Sequence, residues 1–318
     1  MKGYKQLKEE FTFLSKDGIT KIHGVYWIPN GEIKAVLQIV HGMDEYIERY
    51  EEFALFLNEH GYLVAGHDHL GHGQSIRSEE DLGFFARENG NECLLSDIHT
   101  LRKKTAAAYP KTPYFVMGHS MGSFLIRQYI QDYSQGLAGC IIMGTGMPTD
   151  GSLKFGKMLC KIIAGIHNWH YRSRFLNNLI MGSYNKKFGQ TRMSADWLTK
   201  NNAVVDKYLQ DPLCTFVFTL NGYYNMFLSI EAAKNQANIA KTPSTFPLFL
   251  VSGGDDPVGQ FGSGVNELYE LFKKIGMSDC TMRLYLGDRH EILNETDKDT
   301  VFCDLLRWLE GKRSEPLV

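Results

Sequence analysis

The stretch "YFVMGHSMGSFLIRQYI", Tyr114 to Ile130, decides the reading of this chain. A β-branched and aromatic run enters Gly118, Ser120 and Gly122, then passes into residues with helical period, so the segment predicts a strand, a sharp turn and a helix. A serine on such a turn adopts a strained backbone, and glycines two residues to either side let neighbouring backbone pass close by. Its hydroxyl is lifted above the end of the strand, at a helix N-terminus that favours negative charge. The same residues also suit a helix-capping serine between close-packing glycines. G-x-S-x-G alone does not separate the two readings.

The remaining elements supply the frame. "AVLQIVHG", "YLVAGHD", "CIIMGTG", "FPLFLVSGG" and "TMRLYLG" read as further strands, and "RYEEFALFLNEHG", "LLSDIHTLRKKTAAAYP", "FLIRQYIQDYSQG" and "TVFCDLLRWLEGK" as helices. "FTFLSKDGITKIHGVYWIPNG" carries two strand-like runs about a DG turn and predicts an edge hairpin. The alternation predicts an α/β fold, a mostly parallel eight-stranded sheet flanked by helices, in a single domain over 1–318. Approximately 147–235 lacks strand signals and predicts an inserted helical cap. Within it Phe155, Met158, Leu159, Ile162, Ile163 and Ile166 form one apolar stripe, expected to face the core, or else a pocket or lipid surface.

An activated serine needs a base, an acid to orient that base, and oxyanion donors. On strand-turn-helix scaffolds the order is serine, acid, histidine, with the last two on loops after late strands. "GGDDPVG" places Asp255 and Asp256 after one such strand, and "GDRHEI" places His290 after the next. Pro257 biases Asp256 toward an extended backbone, which favours it as the acid. Asp255 stays an alternative, and Asp288 is poorer because it lies two residues before the base. The oxyanion amides are expected at Met121, after the nucleophile, and at Met43 in "HGMDEY".

Bulk properties narrow the partners. The 318 residues are 43% apolar with a formal charge of −2 and no run of like charge, which gives no electrostatic footprint for nucleic acid or an anionic membrane. The six cysteines are widely spaced, without CxxC or zinc spacing, and read as reduced core residues. "MKGYKQLKEEFTF" lacks the apolar core of a secretory signal, so a soluble cytoplasmic protein is expected. "HDHLGH" offers His67, His69 and His72, but Gly71 stands where a zinc loop of H-x-H-x-D-H type carries its acid. These histidines are expected to be structural and hydrogen-bonded to neighbours. No metal or organic cofactor is expected.

Together "HGMDEYIERY", "GHDHLGHGQS", "GHSMGS", "GGDDPVG" and "GDRHEILNE" make the chain similar to the monoacylglycerol lipase and lysophospholipase branch of the α/β-hydrolases, bacterial members above all. The cap segments "MGSYNKKF", "DWLTKN" and "DPLC" share the likeness, which spans essentially the whole chain. It implies nucleophile Ser120, acid Asp256, base His290, and oxyanion amides at Met43 and Met121. It also implies a movable cap over an apolar acyl pocket, with a lipophilic ester as substrate and transient membrane contact through the cap. Phe155, Leu159, Ile162 and Ile163 are the substrate-binding candidates there. The residues after the HG pair depart from the usual small residue or glycine. Dehalogenases and epoxide hydrolases of this fold use a carboxylate nucleophile, against Ser120, whereas prolyl aminopeptidases and acyltransferases keep the serine. A non-catalytic ligand-binding member is expected to have lost part of the triad.

Overall fold

In the computed structural model, which describes residues 7–313, the chain begins with β1 (Leu7–Leu14) and β2 (Lys21–Ile28), joined about a turn in which Asp17 Oδ1 accepts the Ile19 and Thr20 N–H groups at 2.9 and 2.8 Å. Then follow β3 (Ala35–Val40), α1 (Glu51–Glu59), β4 (Tyr62–His67), α2 (Gly90–Ala108), β5 (Tyr114–His119), α3 (Met121–Tyr133) and β6 (Gly139–Met143). After β6 come α4 (Asp150–Ile166), α5 (Arg174–Met181), α6 (Asn202–Gln210), α7 (Leu220–Lys234) and the short α8 (Gln236–Ile239). The chain returns to the sheet with β7 (Leu248–Gly253), α9 (Ser263–Lys274), β8 (Cys280–Tyr285) and α10 (Lys298–Arg313).

The eight strands form one sheet in the order β1-β2-β4-β3-β5-β6-β7-β8, antiparallel at the β1/β2/β4 edge and parallel elsewhere. β3 to β7 are buried along their whole length, as strands covered on both faces must be. Two apolar layers result. Leu37, Ile39, Phe115, Met117, Ile141 and Val251 pack toward α1 and α10, and Val36, Val40, Val116, Ile142 and Leu250 toward α2, α3 and α9.

The architecture is the one expected from the alternation of strand and helix. α9 was not foreseen, although Val265, Leu268 and Phe272 bury one of its faces. Parallel β7 and β8 require a crossover, and α9 supplies it. The helical stretch after β6 is not uniform: α7 packs on α2, α3 and α4, which ties it to the sheet layer, while α4, α5 and α6 extend outward.

The loop after β4 is a polar knot. Asp68 accepts from His23 Nδ1 at 2.9 Å and from the N–H groups of Ile47 and Gln74 at 2.8 Å, and Ser75 Oγ accepts the His23 N–H at 2.9 Å. A Cβ on Gly73 would stand 2.3 Å from Asp68 Oδ2, which is why the motif needs glycine there. His67, His69 and His72 are buried beside His41 in edge and tilted ring contacts. Contrary to expectation they are poorly hydrogen-bonded. Among the described residues, neither ring nitrogen of His67 or His69 has a partner, and His72 bonds only through Nδ1. Ring packing fixes them, because the surroundings offer Phe13, Phe85, Phe216 and Phe218 rather than acceptors. Five cysteines are buried and free, whereas Cys303 is exposed on α10.

Candidate active site

Ser120 occupies the tight turn between β5 and α3 with φ 53° and ψ −121°, a left-handed backbone that costs a non-glycine residue roughly 1–3 kcal/mol. The surroundings impose it. Ser120 N–H donates to the Met143 carbonyl at 3.0 Å, and Ser123 N–H returns to the Ser120 carbonyl at 2.9 Å. A Cβ on Gly118 would lie 2.3 Å from the Gly122 carbonyl oxygen, and one on Gly122 would lie 2.0 Å from that of Val40. Both glycines are therefore steric necessities of the elbow. The Ser120 side chain makes no hydrogen bond to the helix it precedes, against a capping role.

Asp256 and His290 come together below the same cavity. His290 Nδ1 lies 2.9 Å from Asp256 Oδ2, with both residues almost fully buried. Asp256 also accepts from Ser252 Oγ at 3.1 Å and from the Val258 N–H at 2.8 Å, so both of its oxygens are held. Asp255 points elsewhere: it is half-buried and pairs with Lys187 at 3.3 Å. Asp288 pairs with Lys200 at 2.6 Å, and burial pushes its carboxyl up to about 6. Neither meets His290, whose ring rests on Trp197 at 5.1 Å and His119 at 4.7 Å between centroids.

A cavity of about 450 Å³ opens over these groups, lined by Ser120, Met43, Met121 and His290 and by an apolar wall from the helical insertion that includes Leu153, Leu176, Leu179, Ile180, Met226 and Phe227. Met121 is the first residue of α3, so its N–H has no acceptor within the helix. Of the four candidates on α4, Phe155 alone lines the cavity. Ile162 is exposed, and Leu159 and Ile163 are half-buried against the core. The helix turns Leu153, Gly156 and Cys160 inward and leaves Phe155, Met158, Ile162 and Ile166 largely in solvent. The stripe is thus not a core face; the inward face is the neighbouring row.

Charge is also less even than the whole-chain balance implied. Residues 151–210 hold ten lysines and arginines against two carboxylates.

Beneath the serine lies a buried ionic group whose role is not visible in the sequence. Glu45 receives Gly42 N–H in a short contact, Tyr50 OH at 2.9 Å and His119 Nδ1 at 3.0 Å. Arg49 reaches Glu45 at 3.2 Å and grips Glu291 with two bonds of 2.7 and 2.8 Å. Burial opposes the charge on Glu45, but His119 and Arg49 outweigh it and hold the carboxyl below its usual range. Burial likewise opposes a charged His119, and the carboxylates of Glu45 and Glu291 raise its pKa all the same. The i,i+4 spacing of Glu45 and Arg49 in "EYIER" is the one local signal of the group. Asp44, beside them, is buried at φ 54° with Oδ1 unpartnered among the described residues, and burial pushes its carboxyl well up.

The loop that carries His290 is stapled to the insertion. His290 and Glu291 N–H groups donate to the carbonyls of Trp197 and Leu198 at 3.4 and 2.7 Å, and Glu295 accepts the N–H groups of Arg289 and Lys200 at 2.8 and 3.0 Å.

With this geometry, likeness to known proteins becomes interpretable. The chain is similar to the monoglyceride lipase of Rattus norvegicus, 27% identical over 293 residues that span 90% of this chain and 86% of that one. It is similar to the monoacylglycerol lipase of Mycolicibacterium smegmatis, 24% identical over 310 residues, 95% and 97% of the two chains. Its structure matches that of a highly thermostable carboxyl esterase from Bacillus coagulans, solved in complex with glycerol, with a TM-score of 0.89 at 27% identity, over 97% of this chain and 100% of that one. The family model for serine aminopeptidase S33 matches residues 31–297, and the chain therefore belongs to that family, Hydrolase_4, of α/β-hydrolases.

Proposed function

We propose that this protein is a serine ester hydrolase that cleaves lipid-like carboxylic esters, such as monoacylglycerols or lysophospholipids, through an acyl-enzyme. The observation that carries the reading is the buried Asp256–His290 pair beside the strained Ser120, all under one apolar cavity. His290 takes the Ser120 proton as Ser120 attacks the ester carbonyl, while Asp256 orients the imidazole and stabilises its charged form. The Met43 and Met121 amides receive the oxyanion, the alcohol leaves with the proton from His290, and water repeats the sequence to free the acid. The insertion at approximately 147–235 acts as the cap, and its apolar wall receives the acyl chain. The names of the rat and mycobacterial relatives agree with this substrate class.

Aminopeptidase action is less well supported. The carboxylates at the cavity, Glu45 and Glu291, are already paired with Arg49 and His119, which leaves neither for a substrate ammonium. Hydrolysis of p-nitrophenyl esters from acetate to decanoate, monoacylglycerols, lysophospholipids and aminoacyl amides tests the assignment. Medium or long acyl esters are expected to lead, with all turnover and fluorophosphonate labelling lost in Ser120→Ala. A peak at acetate that vanishes by decanoate, or preference for the amides, rejects it.

The outer face of the cap is the surface for transient membrane contact. On α4 the exposed Met158, Ile162 and Ile166 run beside Lys154 and Lys161, and Trp169, Tyr171 and Phe175 are exposed in the segment that follows. An apolar row next to a lysine row is the pattern of a helix lying in an anionic interface. No helix among the described residues is long and apolar enough to cross a membrane. Cosedimentation with phosphatidylcholine/phosphatidylglycerol vesicles is expected, weakened by salt and by Ile162→Glu, while hydrolysis of a short soluble ester stays within about twofold. Absence of binding to anionic vesicles rules the contact out.

A further inference from the structure

The buried ionic group beneath the elbow touches three separate parts of the site. Glu45 holds the Gly42 N–H, and so fixes the His41–Gly42 peptide, one before the peptide that carries the Met43 N–H. It holds His119 Nδ1, on the residue before Ser120. Through Arg49 it reaches Glu291, the residue after His290. His119 Nε2 lies 3.3 Å from the His290 carbonyl oxygen, which closes the circuit from the other side. The oxyanion loop, the nucleophile turn and the base loop come from distant parts of the chain. Among the described residues, one carboxylate bonds to two of them directly and to the third through a single guanidinium.

We infer that Glu45 is a positioning residue that sets the oxyanion loop and the base loop in register with Ser120, through His119 on one side and Arg49–Glu291 on the other. The need for it follows from the sheet. Met43, Ser120 and His290 follow β3, β5 and β8, and β8 is separated from β5 by two intervening strands, so backbone pairing alone leaves the loops free to drift. A shift of about 1 Å in such a constellation costs on the order of 100-fold in rate. The charges suit this role, because two carboxylates face a guanidinium and an imidazole whose two nitrogens both point at acceptors, an arrangement that only the doubly protonated ring satisfies in full. Gly42 N–H, Tyr50 OH and His119 Nδ1 converge on Oε1 of Glu45, and Arg49 holds Oε2. Glu45 and Glu291 also line the cavity, and the test therefore has to separate positioning from contact with substrate.

This inference rests on the reading of Ser120 and His290 as nucleophile and base. Glu45→Gln, Glu45→Asp, Glu291→Gln and the double variant Glu45→Gln/Glu291→Gln are assayed with p-nitrophenyl butyrate, each corrected for its folded fraction by circular dichroism, with Ser120→Ala in parallel. Glu45→Gln is expected to lower kcat by roughly 10–100-fold with KM within about threefold. Glu45→Asp, which keeps the charge, should recover part of that loss. The double variant should be little worse than Glu45→Gln alone, because both act through one chain of contacts. The inference is overturned if folded Glu45→Gln keeps its kcat, if its defect falls on KM alone, or if the two single losses multiply. Activity in Ser120→Ala would instead overturn the underlying reading of the site.

Discussion

At the scale of single residues, two adjacent aspartates divide the roles. Asp256 follows the Gly253–Gly254 turn and is carried inward to His290, whereas Asp255 reaches Lys187 in solvent. Asp256→Asn should cut kcat by roughly 10³–10⁴-fold, since the amide no longer stabilises the charged imidazole, while Asp255→Asn stays within about threefold. Steady-state kinetics on both variants checks this, and the opposite ranking moves the acid to Asp255. Asp44 carries a different cost, a left-handed backbone and a buried carboxyl whose Oδ1 has no partner among the described residues. Asp44→Gly should raise stability by about 1 kcal/mol in urea unfolding; an unchanged or lower midpoint means that Asp44 has a partner in solution. Gly122→Ala works in the other direction. Its methyl would meet the Val40 carbonyl, so a loss of about 2–3 kcal/mol is expected.

At the scale of elements, the strand-turn-helix of β5 and α3 was legible because its apolar run, its glycines and its helical period each carry a local signal. α4 was harder. Its apolar residues run wider than one stripe, and periodicity cannot tell which edge of a wide stripe meets the protein; packing on α7 turns Leu153, Gly156 and Cys160 inward and leaves Ile162 out. The stapling of the base loop to residues 195–200 had no sequence signal, because backbone bonds to Trp197 and Leu198 are indifferent to side-chain type. Glu295 is its keystone. Glu295→Ala leaves two part-buried N–H groups without their acceptor and should destabilise by about 1–2 kcal/mol while lowering kcat. Thermal unfolding and kinetics together test it, and a full kcat in a destabilised protein separates the staple from the base.

At the scale of the whole molecule, the histidines beside β4 make stability depend on pH. Burial pushes His67 and His72 down to about 3, and His69 well below the usual imidazole. A depressed pKa means stability that is complete above the unfolded value near 6.5 and is lost as pH falls toward the folded value. Each group contributes about 1.4 kcal/mol per pH unit in that window. His23 and His119 shift upward, so their contribution is already complete below 6.5 and is lost only as pH rises. The offset comes from Asp44, Asp97 and Asp288, whose carboxyls burial pushes up and which therefore gain protons in the fold over this window. The histidine share of the change between pH 6.5 and 4.5 is read in urea midpoints, before Glu45 and Asp68 begin to protonate. His67→Gln should flatten the slope. An unchanged slope would mean that His67 is solvated or paired.

By itself the sequence determined the order of the strands, the elbow serine, and the two late-strand loops that hold Asp256 and His290. Those features are local: period, glycine placement and motif order are carried by neighbours in the chain. Only the tertiary structure decided which aspartate meets the histidine, which side of α4 faces the cavity, that α9 makes the last crossover, and that Glu45 and Arg49 join three loops. These depend on side chains brought together across the sheet from positions as far apart as Arg49 and Glu291. Burial also gives a carboxylate or an imidazole an energetic meaning that its place in the sequence does not carry.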